Sequence, residues 1–266
     1  MKLLSLLFLS MLLLGFAESN WIEHKEWKTY FDKEEVKGTF LLYDLKKDQY
    51  LVYNQKRSKE GFLPASTFKI FNTLVGLETG VADTTALIHW DGVRRWNADW
   101  NRDLKLKTAF QLSCVPCYQQ IAREVGATRM KEWLEKAHFG KMDVQESNID
   151  TFWLTGNSRI SPFEQVDFLK RLYKNELPFS QSTVETFKNI MIAERGVDYV
   201  LRAKTGWAVD GKQNIGWYVG YIEKEDNVYF FALNFQKKVR KKGSGNFGPA
   251  RKGITEKILK DLGILH

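Results

Sequence analysis

Pro64-Ala65-Ser66-Thr67-Phe68-Lys69 runs directly into Ile70, Phe71, Leu74, Val75 and Leu77, and this stretch decides how the rest of the chain is read. Apolar residues at three- and four-residue intervals predict a helix over 66–77. Ser66 then lies in the first turn, with Lys69 three residues on and on the same face. A serine hydroxyl becomes a nucleophile beside a base, and an amine one turn away is within reach. The first turn also points unpaired backbone N–H groups outward, which suits a carbonyl oxygen gaining negative charge. The plainer reading is a serine N-cap followed by a surface lysine. It fits poorly with Phe68, Ile70 and Phe71 packed around that lysine. An ordinary lysine, with a pKa of about 10.4, is no base at neutral pH. Burial among apolar side chains disfavours the ammonium and lowers that value. A neutral buried amine can also take up carbon dioxide as a carbamate, which is anionic and accepts a proton.

Two further motifs follow, Ser113-Cys114-Val115 and then Lys204-Thr205-Gly206. Each is weak alone, because serine and lysine are common. In this order, S-x-x-K, a middle serine and K-T-G form the signature of active-site-serine β-lactamases and penicillin-binding proteins.

The surrounding text narrows this. It includes Ser113-Cys114-Val115-Pro116, Ile121-Ala122-Arg123-Glu124-Val125-Gly126, Asp150-Thr151-Phe152-Trp153-Leu154, Arg202-Ala203-Lys204-Thr205-Gly206-Trp207 and Ile215-Gly216-Trp217-Tyr218-Val219-Gly220. Over nearly its whole mature length the chain resembles the class D, oxacillinase-type, serine β-lactamases. Val115 fits their S-x-V motif rather than the S-D-N of class A, and no E-x-x-L-N segment occurs. The resemblance implies hydrolysis of the β-lactam amide of penicillin-type antibiotics through a Ser66 acyl-enzyme, and hence antibiotic resistance. It implies a carboxylated Lys69 as general base and no metal or other cofactor. Ser113 is expected to relay a proton to the departing lactam nitrogen. Val115 and Leu154 are expected to line the modified lysine, and the Trp153 indole to donate to its carbamate. Lys204, Thr205, Gly206 and Trp207 are expected to bind substrate, with the backbone N–H groups of Ser66 and Trp207 as the oxyanion hole. Arg251 is expected to pair with the substrate carboxylate. One departure is Phe139-Gly140-Lys141, where the family usually carries Tyr-Gly-Asn or Phe-Gly-Asn. Lys141 adds a charge where the asparagine would stand. Two other classes stay open: a penicillin-binding transpeptidase or carboxypeptidase, and a β-lactam-acylated sensor that deacylates slowly.

Lys2, the apolar run Leu3 to Leu14 and Gly15-Phe16-Ala17 read as a secretory signal cut after Ala17. Residues 1–17 are therefore set apart, and 18–266 are expected to form one catalytic domain in the periplasm with no membrane span. The fold expected is α/β (α+β), like the transpeptidase fold of serine β-lactamases and penicillin-binding proteins. A central antiparallel sheet of about five or more strands would draw on both chain ends, about 18–60 and 190–266. A helical lobe, about 61–189, would be inserted. Predicted strands are 39–44, 50–53, 201–204, 215–222 and 228–235. Predicted helices are 66–77, 118–125, 129–137, 162–173 and 254–262. The Lys- and Gly-rich segment 237–249 is expected to form a rim loop.

The net charge of +8 and a pI near 9.2 invite a nucleic-acid reading. The basic residues are dispersed and no nucleic-acid motif accompanies them. The plain reading is a solvated surface, with attraction of anionic β-lactams into the cleft as a functional gloss. Cys114-Val115-Pro116-Cys117 resembles a thiol redox motif, but it overlaps the S-x-V motif and lacks the βαβ setting, so two buried small hydrophobes are expected. His24, His89, His138 and His266 are scattered without metal-ligand spacing. Whether the chain forms a homodimer and which β-lactams it prefers are not legible.

Overall fold

The computed structural model describes residues 20–239 and 246–266. From the N-terminal side come β1 (Trp21–Glu23), α1 (Lys28–Lys33), β2 (Lys37–Asp44), β3 (Gln49–Tyr53) and α2 (Gln55–Ser58). A 3-10 turn at Ala65–Phe68 leads into α3 (Lys69–Glu78). The middle of the chain holds β4 (Leu87–Ile88), β5 (Leu104–Lys105), α4 (Leu106–Gln111), α5 (Val115–Val125), α6 (Ala127–Ala137), α7 (Pro162–Tyr173) and α8 (Gln181–Ile190). Then come β6 (Ile192–Arg195), β7 (Tyr199–Asp210), β8 (Gln213–Lys224), β9 (Asn227–Lys238) and α9 (Phe247–Asp261). The expected signal segment and residues 240–245 of the expected rim loop lie outside the described residues. Pro249, at that loop's end, already belongs to α9.

The main sheet has seven strands in the order β1-β3-β2-β9-β8-β7-β6. Strands from the two ends of the sequence meet at its centre, where Leu41 pairs with Ala232. Two corrections apply to the expected sheet. It is not wholly antiparallel, since β1 runs parallel to β3. Two edge strands, β1 and β6, also escape pattern reading. β1 has three residues, and β6 is mostly exposed, so neither shows the alternation of a half-buried strand.

The central strands show why a long apolar run can be a strand. Helices cover both faces of the sheet, so β8 is buried almost throughout. Along β2, successive side chains enter different cores. Phe40 and Leu42 pack in the core with α1 and α9, whereas Leu41 and Tyr43 pack in the larger core with α3 and α7. Helix α7 starts where the sequence places it. Ser161 Oγ accepts from Glu164 N at 3.1 Å, Glu164 Oε2 accepts from Ser161 N at 2.7 Å, and Pro162 fills the first turn. Helices α4 and α8 lay unread in the sequence.

One cross-link matters for the site. The Trp217 indole on β8 donates to Leu63 O at 2.8 Å, deep in the core. It ties the sheet to the segment entering the Ser66 turn. Trp217→Phe leaves that carbonyl buried and unpaired, and should lower unfolding stability by about 1–3 kcal/mol. Urea denaturation followed by circular dichroism measures it, and an unchanged midpoint would show that the bond carries no stability.

Candidate active site

Ser66 sits in the 3-10 turn, not in the first turn of an α-helix as expected, and α3 begins at Lys69. The tighter turn follows from what grips it. Ala65 has a left-handed φ of 52° and donates its N–H to Trp153 O at 2.9 Å. Thr67 Oγ1 donates to Pro64 O at 2.6 Å and accepts from the buried Gln165 Nε2 at 2.8 Å. Gly206 of the K-T-G motif lets β7 come against this turn. A Cβ there would meet Trp217 Cβ at 3.1 Å, Thr67 Cγ2 at 3.2 Å and Pro64 O at 3.3 Å.

Lys69 Nζ lies 2.9 Å from Ser66 Oγ and is fully buried. Desolvation alone pulls its pKa down to about 7. At neutral pH a substantial fraction is therefore the free amine that the sequence reading requires. The walls are aromatic. Tyr118 places its ring 5.2 Å from Lys69 Nζ and its hydroxyl 2.7 Å from Thr73 Oγ1. Phe68 stacks on Trp153 at 5.3 Å, and Phe139 packs against Phe71 at 4.9 Å. Trp153 Nε1 is buried with no hydrogen-bond partner among the described residues. Such a donor is costly unless something accepts from it.

The remaining expected residues converge on the same cleft. Lys204 is buried on β7 and donates to Thr205 O at 3.1 Å. Burial first, and then Lys69, Arg251 and Lys252, push its pKa well below that of an ordinary lysine. Every charge acting on it is positive, so the pocket favours an anion. Arg251, from α9, donates through one guanidinium nitrogen to Gly206 O at 3.0 Å and lies 5.7 Å from the Trp207 ring. Trp207 is part-exposed, and its indole is held by Asn214 Oδ1 at 2.9 Å. Beyond Arg202, no strand among the described residues pairs with the outer edge of β7.

Ser113 lies in the turn between α4 and α5 and Val115 opens α5; both are half-buried, and Ser113 has a left-handed φ of 55°. The flanks of this turn touch both lysines. Phe110 lies 5.7 Å from Lys204 Nζ, and Tyr118 lies beside Lys69. Leu154 is half-buried against the same core. Lys141 is exposed and joins Arg159 through paired backbone bonds of 2.8 and 2.7 Å, so its side chain points away from the core. Cys114 and Cys117 are buried as expected, but they form a disulfide rather than two separate small hydrophobes. Their spacing at the start of α5 brings the two Cα atoms to 5.5 Å, within disulfide range. Sequence reading missed Phe110, Tyr118 and Gln165. Tyr118 carried a faint signal, opening a predicted helix just after S-x-V; Gln165 carried none.

Comparison with known proteins agrees with this geometry. The penicillin binding protein transpeptidase domain matches residues 38–260. The β-lactamase OXA-48 of Klebsiella pneumoniae is 40% identical over 98% of each chain. The solved class D β-lactamase FUS-1 (OXA-85) of Fusobacterium nucleatum superposes with a TM-score of 0.85 at 39% identity, covering 92% of this chain and all of that one. The regulatory protein BlaR1 of Bacillus licheniformis is 37% identical over 84% of this chain, which spans 37% of that longer protein. With its serine–lysine pair, its S-x-V turn and its K-T-G strand in this arrangement, the chain belongs to the class D, OXA-type β-lactamases.

Proposed function

We propose that this class D β-lactamase opens the β-lactam ring through an acyl-enzyme on Ser66, and the observation that carries this is the buried Lys69 amine 2.9 Å from Ser66 Oγ. The amine takes the Ser66 proton as Oγ attacks the lactam carbonyl. The backbone N–H groups of Ser66 and Trp207 receive the developing oxyanion; such donors are each worth about 10²–10³ in rate. Ser113 passes a proton to the lactam nitrogen as the ring C–N bond breaks. Lys204 and Arg251 hold the substrate carboxylate, while Thr205, Gly206 and Trp207 line its strand. Water then adds to the Ser66 ester, the ester bond breaks, and Oγ regains its proton.

Carboxylation of Lys69 fits the residues present. Burial lowers the amine's pKa to about 7, Val115 and Leu154 pack against the same large core, the charges acting on Lys204 are positive, and the Trp153 N–H stands without an acceptor among the described residues. Trp153 would hold the carbamate, whose oxygen would supply an anionic proton acceptor. Export to the periplasm is supported by the apolar run at Leu3–Leu14 and by the Cys114–Cys117 disulfide, a bond that persists in oxidising compartments. Among the described residues no helix is long and apolar enough to cross a membrane. Residues 18–266 are read as one catalytic domain. The likeness to BlaR1 keeps an acylated sensor as the second reading. A parent protein giving only a stoichiometric burst with every β-lactam would favour it.

A slowly hydrolysed β-lactam should add its whole mass at Ser66, and Ser66→Ala should show neither adduct nor turnover by intact-protein mass spectrometry. An adduct surviving in that variant refutes the nucleophile.

Protonation of Lys69 removes the lone pair that accepts the serine proton. In carbon-dioxide-depleted buffer, kcat/KM should therefore rise with pH through about 7. Bicarbonate should raise activity further. A flat profile would exclude the amine as base, and full activity without carbon dioxide would exclude the carbamate.

Trp153→Phe keeps the ring against Phe68 and removes the N–H. It should acylate at Ser66 yet accumulate acyl-enzyme, with partial rescue by bicarbonate. Loss of a hydrogen bond to a charged acceptor costs about 1.5–3 kcal/mol, or roughly tenfold to hundredfold in deacylation. Stopped-flow kinetics with a chromogenic cephalosporin reads it, and deacylation at the parent rate would remove Trp153 from the mechanism.

A further inference from the structure

We infer that the Cys114–Cys117 disulfide is a positioning element for acylation, holding the turn that carries Ser113; this rests on the reading of Ser113 as the proton relay. The turn caps the end of α4, with Ser113 N donating to Phe110 O at 3.1 Å and Cys114 N donating to Ala109 O at 2.9 Å, and the disulfide is the covalent link on its α5 side. Ser113 keeps a left-handed φ of 55°, which a residue with a Cβ adopts at a cost. Cys114 is the N-cap of α5, and its sulfur accepts from Cys117 N at 3.3 Å. Sulfur is a weak acceptor beside the hydroxyl and carboxylate oxygens that usually cap helices. Packing holds only one side of this turn, where Cys114 and Cys117 are buried. The first turns of α5 face a cavity of about 220 Å³, lined by Pro116, Cys117, Gln120 and Arg123 together with Trp90 and Trp100.

The cross-link spans a separation of only three residues. A disulfide restricts the unfolded chain more as its loop lengthens, so this one does little for global stability in that model. Its effect is local. It closes the backbone around Val115 and Pro116 and fixes where α5 begins. The turn lies between Phe110, near Lys204, and Tyr118, near Lys69. A shift of the Ser113 hydroxyl by about an ångström there would misalign proton delivery to the leaving nitrogen. Breaking the cross-link should therefore slow the step that breaks the lactam C–N bond more than the step that consumes the ester.

The test uses the whole protein before and after treatment with a phosphine reductant. A thiol titration rising from zero to two shows that the disulfide has opened, and circular dichroism shows that the fold remains. Stopped-flow measurement separates acylation from deacylation with a chromogenic cephalosporin. Acylation should fall about tenfold, with deacylation changed by less than about twofold, and reoxidation should restore the rate. C114A/C117A should acylate as slowly as the reduced parent and ignore the reductant, which covers the case of a disulfide too buried to reduce. In Ser113→Ala, reduction should add less than about twofold, because the two changes act through one group. A reduced protein with two titratable thiols that acylates at the oxidised rate overturns the inference. So does a tenfold loss on reduction that persists in Ser113→Ala. Parent-like acylation by oxidised Ser113→Ala would instead overturn the relay reading, and it is seen without any reductant.

Discussion

The cleft depends on keeping one amine out of water. Lys69 has no exposed surface, and its pKa of about 7 comes from desolvation rather than from a neighbouring charge. Phe68 and Tyr118 do this work with Trp153 stacked behind, and each comes from a different part of the chain. The device opposes folding. The unfolded chain binds a proton at Lys69 up to its ordinary value, while the folded chain releases it near 7. Between those limits the unfolded state holds more protons, so this residue's contribution to stability rises with pH. At neutral pH the penalty is close to its full size. A reactive centre is thus maintained at the expense of stability, as is common where function needs an unfavourable environment.

The same logic extends to Lys204. Two buried lysines, Arg251 and Lys252 surround a space with no carboxylate among the groups that act on Lys204. Before substrate enters, each positive charge raises the cost of the next. On the proposed roles of Lys204 and Arg251, a ligand carboxylate would reverse this by favouring the charged state of both. Affinity for anions would then be built into the frustration of the unliganded cleft, with the dispersed surface charge of the chain assisting at long range.

The motifs were legible because their chemistry needs fixed local spacing. Ser66 and Lys69 lie one turn apart, and Lys204-Thr205-Gly206 lies on one strand. The sheet centre was legible from apolar runs such as Ile215 to Ile222. The edge strands were not, because β1 is too short and β6 too exposed to show a period. Gln165 was illegible for another reason. It supports Thr67 across 98 positions of sequence, and nothing in its own neighbourhood marks it. The cysteines show the limit of pattern reading. The C-x-x-C was visible, but whether the two sulfurs join depends on how the turn folds, and a motif carries no such distance.

The sheet is stitched together from opposite ends of the chain. Strand β2 finds its partner β9 about two hundred residues later, with Gly38 opposite Phe235. The Ser66 turn, emerging early, is pinned by Trp217 and by the close approach at Gly206, both of which emerge late. No early fragment can complete the sheet or the cleft. Contacts so distant in sequence close slowly, because a long loop must be ordered before any pairing rewards it. A chain built this way stays open until its last strands are available. The export proposed above is compatible with such late assembly of the serine and the lysine.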